Sequence, residues 1–214
     1  MSHGVHAVQH EVEHKLEHDE HGGGHGHGDS KDLNKKVALL ISVLALFLAF
    51  SEVLGKSAQT AALNSQIEAS NLWNFFQAKN IRRTSTIVAA EQSKLTIPAA
   101  TDPAQKAAIE KQVDAWNKTA ARYRSEPEAA DGKGEGTVEL SRRAIEEQHN
   151  RDEYLAKYHH YEFASAAFQI GIVLASATVI TGMVALSFLA GGLGVIGLVF
   201  MAFGVLAPQL LHLH

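Results

Sequence analysis

FASAAFQIGIVLASATVITGMVALSFLAGGLGVIGLVFMAFGVLAPQLL, residues 163–211, runs for forty-nine residues without an Asp, Glu, Lys, Arg or His. A helix rises 1.5 Å per residue and a bilayer core of about 30 Å takes roughly 20 residues, so the run is long enough to cross twice. Leu189-Ala190-Gly191-Gly192-Leu193-Gly194 sits near its middle, and three glycines in four positions suit a tight turn. The expectation is a hairpin of two spans, 163–188 and 192–212, reversing at those glycines.

Upstream, Val37 to Ser51 (VALLISVLALFLAFS) is uncharged and extends to Gly55 with Glu52 as its lone carboxylate. Lys35 and Lys36 abut it as interfacial anchors do, so 35–55 is expected to be a third span. A secretory signal peptide is the competing reading. The polar residues ahead of the apolar core fit that poorly, and Glu52-Val53-Leu54 is not a small-residue cleavage site.

Charged residues make up 20% of the chain, but they are confined to the first 36 residues and to the stretch from Glu52 to Glu162. With no cysteine there is neither a disulfide framework nor thiolate chemistry. A net charge of -4 without a basic stripe gives no reason to expect nucleic acid as a partner. Residues 1–34 read as a His-rich disordered tail. His6, His10, His14 and His18 recur every four residues, with His21, His25 and His27 beyond them. Such spacing supports weak zinc, nickel or copper binding, helped by interleaved Glu and Asp, and implies no catalytic cofactor. Polar low complexity with tolerated histidines is the plainer alternative.

Between the spans, 56–162 reads as helix almost throughout. Ala, Gln, Glu, Lys and Leu dominate from Lys56 to Lys94, so one helix is expected to run on from the first span for about 60 Å. Asp102-Pro103-Ala104-Gln105 marks a helix start, after which Ile109, Val113, Trp116, Ala120 and Tyr123 form a heptad seam. Glu126 to Gly136 (EPEAADGKGEG) reads as a flexible loop, and a third helix is expected to feed the second span. Within it Glu139 and Arg143, Glu147 and Arg151, and Glu153 and Lys157 are spaced for i to i+4 ion pairs. The fold expected is all-α: three transmembrane helices, with an extra-membrane antiparallel helical or coiled-coil bundle (56–97, 103–125, 137–162) between the first and second. Ala and Ser at the facing positions of its first helix bury little, so a homo-oligomer is expected.

The segment Ala69-Ser70-Asn71-Leu72-Trp73-Asn74-Phe75-Phe76-Gln77-Ala78-Lys79-Asn80-Ile81-Arg82 resembles the signature of the bacterial membrane family called domain of unknown function 4337, whose members carry Ala-Ser-Asp-x-Trp-x-x-Tyr-Gln-Ala-Lys. The order of tail, span, helical region and closing hairpin is similar too. Asn71 stands where Asp is usual and Phe76 where Tyr is usual, which argues against catalysis by either. The family has no assigned activity, so the resemblance implies architecture alone. On helical spacing the motif is expected to place Trp73, Phe76 and Asn80 on one packing face, with Gln77 and Lys79 on others and Gln77 hydrogen-bonded across the seam. A partner-binding surface is the alternative.

Two further groupings carry candidate chemistry. Glu146 and His149 form a single E-x-x-H pair, whereas a carboxylate-bridged di-iron bundle needs two such pairs and two more carboxylates. Tyr154, Tyr158, His159, His160, Tyr161 and Glu162 gather at the mouth of the second span, and Glu52 leaves the first. An interfacial aromatic belt explains the tyrosines. Glu52, His159, His160 and Glu162 are the candidate membrane-interface site for a proton or metal. The lysines before the first span place the tail in the cytoplasm and the bundle in a bacterial periplasm, while Arg142, Arg143, Arg151 and Lys157 pull the other way. Taken together the residues predict a non-enzymatic protein of the bacterial inner membrane that assembles with itself or with an envelope protein. Divalent-metal handling by the tail, as an accessory to transport, is the alternative.

Overall fold

The computed structural model describes residues 28–130 and 132–208. The His-rich tail, with His6, His10, His14, His18, His21, His25 and His27, lies outside the described residues. Among the described residues four α-helices follow in order, α1 (Gly28–Thr96), α2 (Pro103–Arg124), α3 (Thr137–Thr181) and α4 (Val184–Leu206), with one 3₁₀ turn at Ile97–Ala99. No strand occurs among the described residues. Three of the helices, α1, α3 and α4, are long and apolar enough to cross a membrane.

Local chemistry accounts for most helix ends. No proline interrupts α1 before Pro98, and the residue before a proline is pushed away from helical geometry. Asp102 caps α2, its Oδ1 accepting from the Ala104 N–H at 2.9 Å, and Pro103 occupies the first helical position, where a missing N–H costs nothing. Arg122 and Arg124 lie in its last turn, where cations favour exposed carbonyls.

The hairpin reverses at Gly182-Met183, not at residues 189–194 as the glycines suggested. Gly182 adopts φ +72, its N–H bonding to Thr178 O at 2.8 Å, and Thr181 Oγ1 accepts from the Met183 N–H at 3.3 Å. Gly191, Gly192 and Gly194 are instead interior to α4. A stretch without polar side chains can satisfy its backbone groups only by remaining helical, so the reversal falls where a left-handed glycine has a neighbouring hydroxyl to help. Gly194, Gly197 and Gly204 of α4 serve packing. A Cβ on Gly197 would come 2.7 Å from the Phe168 ring, one on Gly204 2.8 Å from the Tyr161 ring, and one on Gly194 2.7 Å from Leu44 Cδ2. Ala190, Gly194, Gly197 and Gly204 are the buried positions of α4, a small-residue face that lets helix axes approach closely.

The chain divides into two compact units, Met1–Ala61 with Glu153–His214, and Ala62–Asp152. In the first, Val37, Ile41, Leu44 and Leu48 of α1 pack with Ala164, Phe168, Ile172 and Ala175 of α3 and Ala190 of α4. Ser51, fully buried, donates from Oγ to the Tyr161 carbonyl at 2.9 Å. In the second unit the buried positions of α1 are mostly small or polar: Ala62, Ser65, Ala69, Leu72, Lys79 and Ala90. Leu72 packs with Leu140 and Ala144 of α3, and Trp73 and Phe76 close over them. Along α2, Val113 and Ala120 are buried, with Ile109, Trp116 and Tyr123 half-buried between them, so the heptad seam faces inward.

The expected flexible loop at 126–136 is hydrogen-bonded. Ala129 and Glu135 donate backbone N–H groups to Glu126 O at 3.3 and 3.2 Å, and Gly134 N–H reaches Ala129 O at 2.9 Å. Gly136 is wedged in: a Cβ there would lie 2.5 Å from Ser125 Cα and 2.7 Å from Arg124 O. Glycine composition here served close packing, which sequence alone reads as freedom.

Candidate functional site

Within the second unit the motif segment of α1 meets the loop that joins α2 to α3. Residues 62, 65, 69, 72, 76 and 79 advance in alternating steps of three and four, so Lys79 falls on the same inward stripe as Leu72 and Phe76. This corrects the expected faces: Lys79 is 8% exposed, while Gln77 and Asn80 are exposed. Gln77 hydrogen-bonds to no described residue, because it lies about two steps of the helical wheel away from the seam.

Burying an ammonium group is costly unless it is paired, and Lys79 is doubly paired. Its Nζ lies 3.3 Å from Glu135 Oε2 and 3.6 Å from Glu126 Oε2, and 5.5 Å from the centre of the Phe75 ring. Arg122 Nε adds a second cation 3.7 Å from Glu126 Oε1. Trp73 and Phe76 meet edge to face at 5.4 Å, the arrangement that aromatic quadrupoles favour.

Glu139 ties the loop from its other end. Ser125 Oγ donates to Glu139 Oε1 at 2.5 Å, and the Glu126 N–H reaches Oε2 at 3.3 Å. Burial pushes the Glu139 carboxyl upward, but these hydrogen bonds, its own backbone N–H and the Arg142 charge prevail and hold it below the usual carboxylate range. Arg143 donates to Gly134 O at 3.3 Å and so does not pair with Glu139. Arg151 likewise forgoes Glu147, binding Asp152 at 2.7 Å and Gln66 Oε1 at 2.8 Å. Of the three expected i to i+4 pairs only Lys157 with Glu153 forms, at 2.7 Å. Charged side chains near a loop find carbonyls and carboxylates there, which spacing along one helix cannot anticipate.

An open cavity of about 530 Å³ adjoins the motif, lined among others by Asn71, Asn74, Phe75, Glu135 and Arg143. Of its charged groups Glu135 and Arg143 are already engaged with Lys79 and Gly134 and hold the loop in place, and Glu68 is the third.

The candidate interface residues fall in the first unit and do not converge. Glu52 Oε1 accepts from Gln169 Nε2 at 3.5 Å. His159 Nδ1 lies 3.5 Å from Glu162 Oε2, both well exposed. His160 turns inward instead: it is 1% exposed, with Nε2 3.2 Å from Pro208 O and its ring among Phe200 and Phe203. A carbonyl at that distance places the proton on Nε2, leaving buried Nδ1 without a partner. Among the described residues no three His, Asp or Glu side chains are grouped to hold a metal ion, and Glu146 with His149 is no exception.

The sequence reading missed the Lys79, Glu126 and Glu135 cluster, although the heptad phase running through Leu72 and Phe76 would have found its cation. Nothing in spacing foretold the carboxylates, which reach it across a loop. No curated protein and no solved structure is significantly similar to this chain. The model of one family, described as a domain of unknown function (DUF4337), matches residues 33–207, and with most of its length matched the chain belongs to that family.

Proposed function

We propose that this chain is a non-enzymatic integral membrane protein of the cell envelope whose second unit serves assembly, with itself or with another envelope protein. The observation that carries the reading is that the second unit is built from heptad-packed helices and still leaves large aliphatic residues of α1 exposed, Ile67, Ile81, Val88 and Leu95 among them. The ionisable groups of the motif region support it, since Lys79, Glu126, Glu135 and Glu139 are engaged in holding loop to helix. The membrane reading is supported by three helices of sufficient length and apolarity.

The mass of the full chain extracted in mild detergent tests assembly. An oligomer or a stoichiometric complex is expected, and a monomeric particle alone counts against the proposal. Orientation is tested with a reporter active only in the periplasm. It belongs at Gly132, where a side chain would meet nothing within 4 Å, since an insertion at Gly134 or Gly136 would break packed structure. Activity there places the second unit in the periplasm, as Lys35 and Lys36 suggest, and silence places it inside.

A further inference from the structure

Opposite its inward seam, α1 carries a second heptad that the fold leaves bare. Ile67, Ile81, Val88 and Leu95 are 59%, 67%, 45% and 81% exposed, and they recur at multiples of seven residues with Asn74 filling the one gap. Past Thr60 the same interval runs back in sequence through Val53, Leu46 and Leu39, where lipid would explain it, but outside a bilayer it has no such explanation. From residue 63 to residue 90 the four charged side chains of α1, Glu68, Lys79, Arg82 and Arg83, all avoid this face and the positions flanking it, and charge enters its flank only at Glu91 and Lys94, beside Val88 and Leu95. A solvated stretch of helix of about 40 Å with Ile67, Ile81 and Val88 seven or fourteen residues apart, Asn74 between them, and no charge of α1 beside Ile67, Asn74 or Ile81 is built to meet another helix.

We infer that a second copy of this chain docks here, α1 against α1, parallel and in register; the inference rests on the assembly and membrane readings above. Three features select that occupant. Copies inserted in one membrane share one direction, so their α1 helices can pair only in parallel. In a parallel, in-register pair each residue meets its own counterpart, and like charges would repel, which an uncharged face avoids. Asn74 then meets Asn74, and a single Asn within an aliphatic heptad seam is the device that sets register and copy number. The α2 seam cannot serve instead, since Val113 and Ala120 are already buried within the chain.

The test uses full-length chains in membranes, each with one introduced cysteine, since the natural chain has none. Oxidation should link Ile81→Cys and Val88→Cys chains as dimers at least ten-fold more efficiently than Arg82→Cys or Glu68→Cys chains. Mixed Asn74→Cys and Ile81→Cys chains should give few heterodimers, because seven residues separate them by about 10 Å along the axis, beyond disulfide reach. Asn74→Lys, which sets two like charges together, should lower the dimer fraction several-fold while leaving helicity unchanged. An oligomeric mass without enrichment of links on this face overturns the inference and leaves the assembly reading standing. A monomeric mass overturns both. Links on this face to a different protein alone also overturn it, assigning the surface to another partner.

Discussion

Two stretches with three glycines each end as opposites. Gly191-Gly192-Leu193-Gly194 lies inside a helix, whereas Gly132 to Gly136 forms a packed loop with Gly132 and Gly134 at φ +80 and +77. The first is surrounded in sequence by aliphatic residues, and its backbone has no polar partner except along the helix. The second is flanked by Glu126, Ser125 and Glu139, whose carboxylates and carbonyls offer the backbone other bonds. Glycine thus permits either outcome, and the hydrogen-bonding partners nearby select between them.

Substitution should expose the contrast. Gly136→Ala is expected to do the greatest harm, because its Cβ would strike the backbone of Arg124 and Ser125, which cannot rotate away. The loss should lie near the top of the about 1–3 kcal/mol seen for overpacking, read as a lowered unfolding temperature in detergent. Gly197→Ala should cost less, about 1–2 kcal/mol, since the obstacle is the Phe168 ring, although that ring is fully buried. A neutral effect there would mean that α4 does not pack through its small residues.

Glu139 sharpens the account of the loop. Glu139→Ala leaves the Ser125 hydroxyl and Glu126 N–H without an acceptor and should cost about 1–2 kcal/mol. Because its folded carboxyl titrates below the usual value, its contribution is complete above the ordinary carboxylate range and declines as pH falls through the lower folded value. Unfolding followed from about pH 6 to pH 3 should show this acid sensitivity in the natural chain and lose part of it in Glu139→Gln. The smallest effect carries the opposite sign: Gly191→Ala and Gly192→Ala meet open space in a helix interior and should each stabilise by about 0.5–1 kcal/mol. Destabilisation by both would restore the turn to residues 189–194.

Legibility followed the range of the interactions involved. The cap at Asp102 and the stop before Pro98 depend on neighbours within a few residues, and the α2 seam on a period that its own five side chains display. Gln77 was misplaced because its amide suggested a partner, whereas the side of α1 that finds partners is set by α3 and the loop. The exposed heptad of Ile67, Asn74, Ile81 and Val88 was equally present in the sequence. Its significance depended on knowing which of two heptad stripes the chain itself covers.

By itself the sequence determined that the chain is helical, that three helices have the length and apolarity to span a bilayer, and where α2 begins, because these follow from local composition and bonding. Tertiary structure alone decided that the hairpin turns at Gly182, that Lys79 points inward to two carboxylates, and that His160 is buried while Glu52 finds Gln169. A long helix presents every side of itself equally in sequence. Only the elements packed against it settle which side becomes core, which closes a loop, and which is left to meet another molecule.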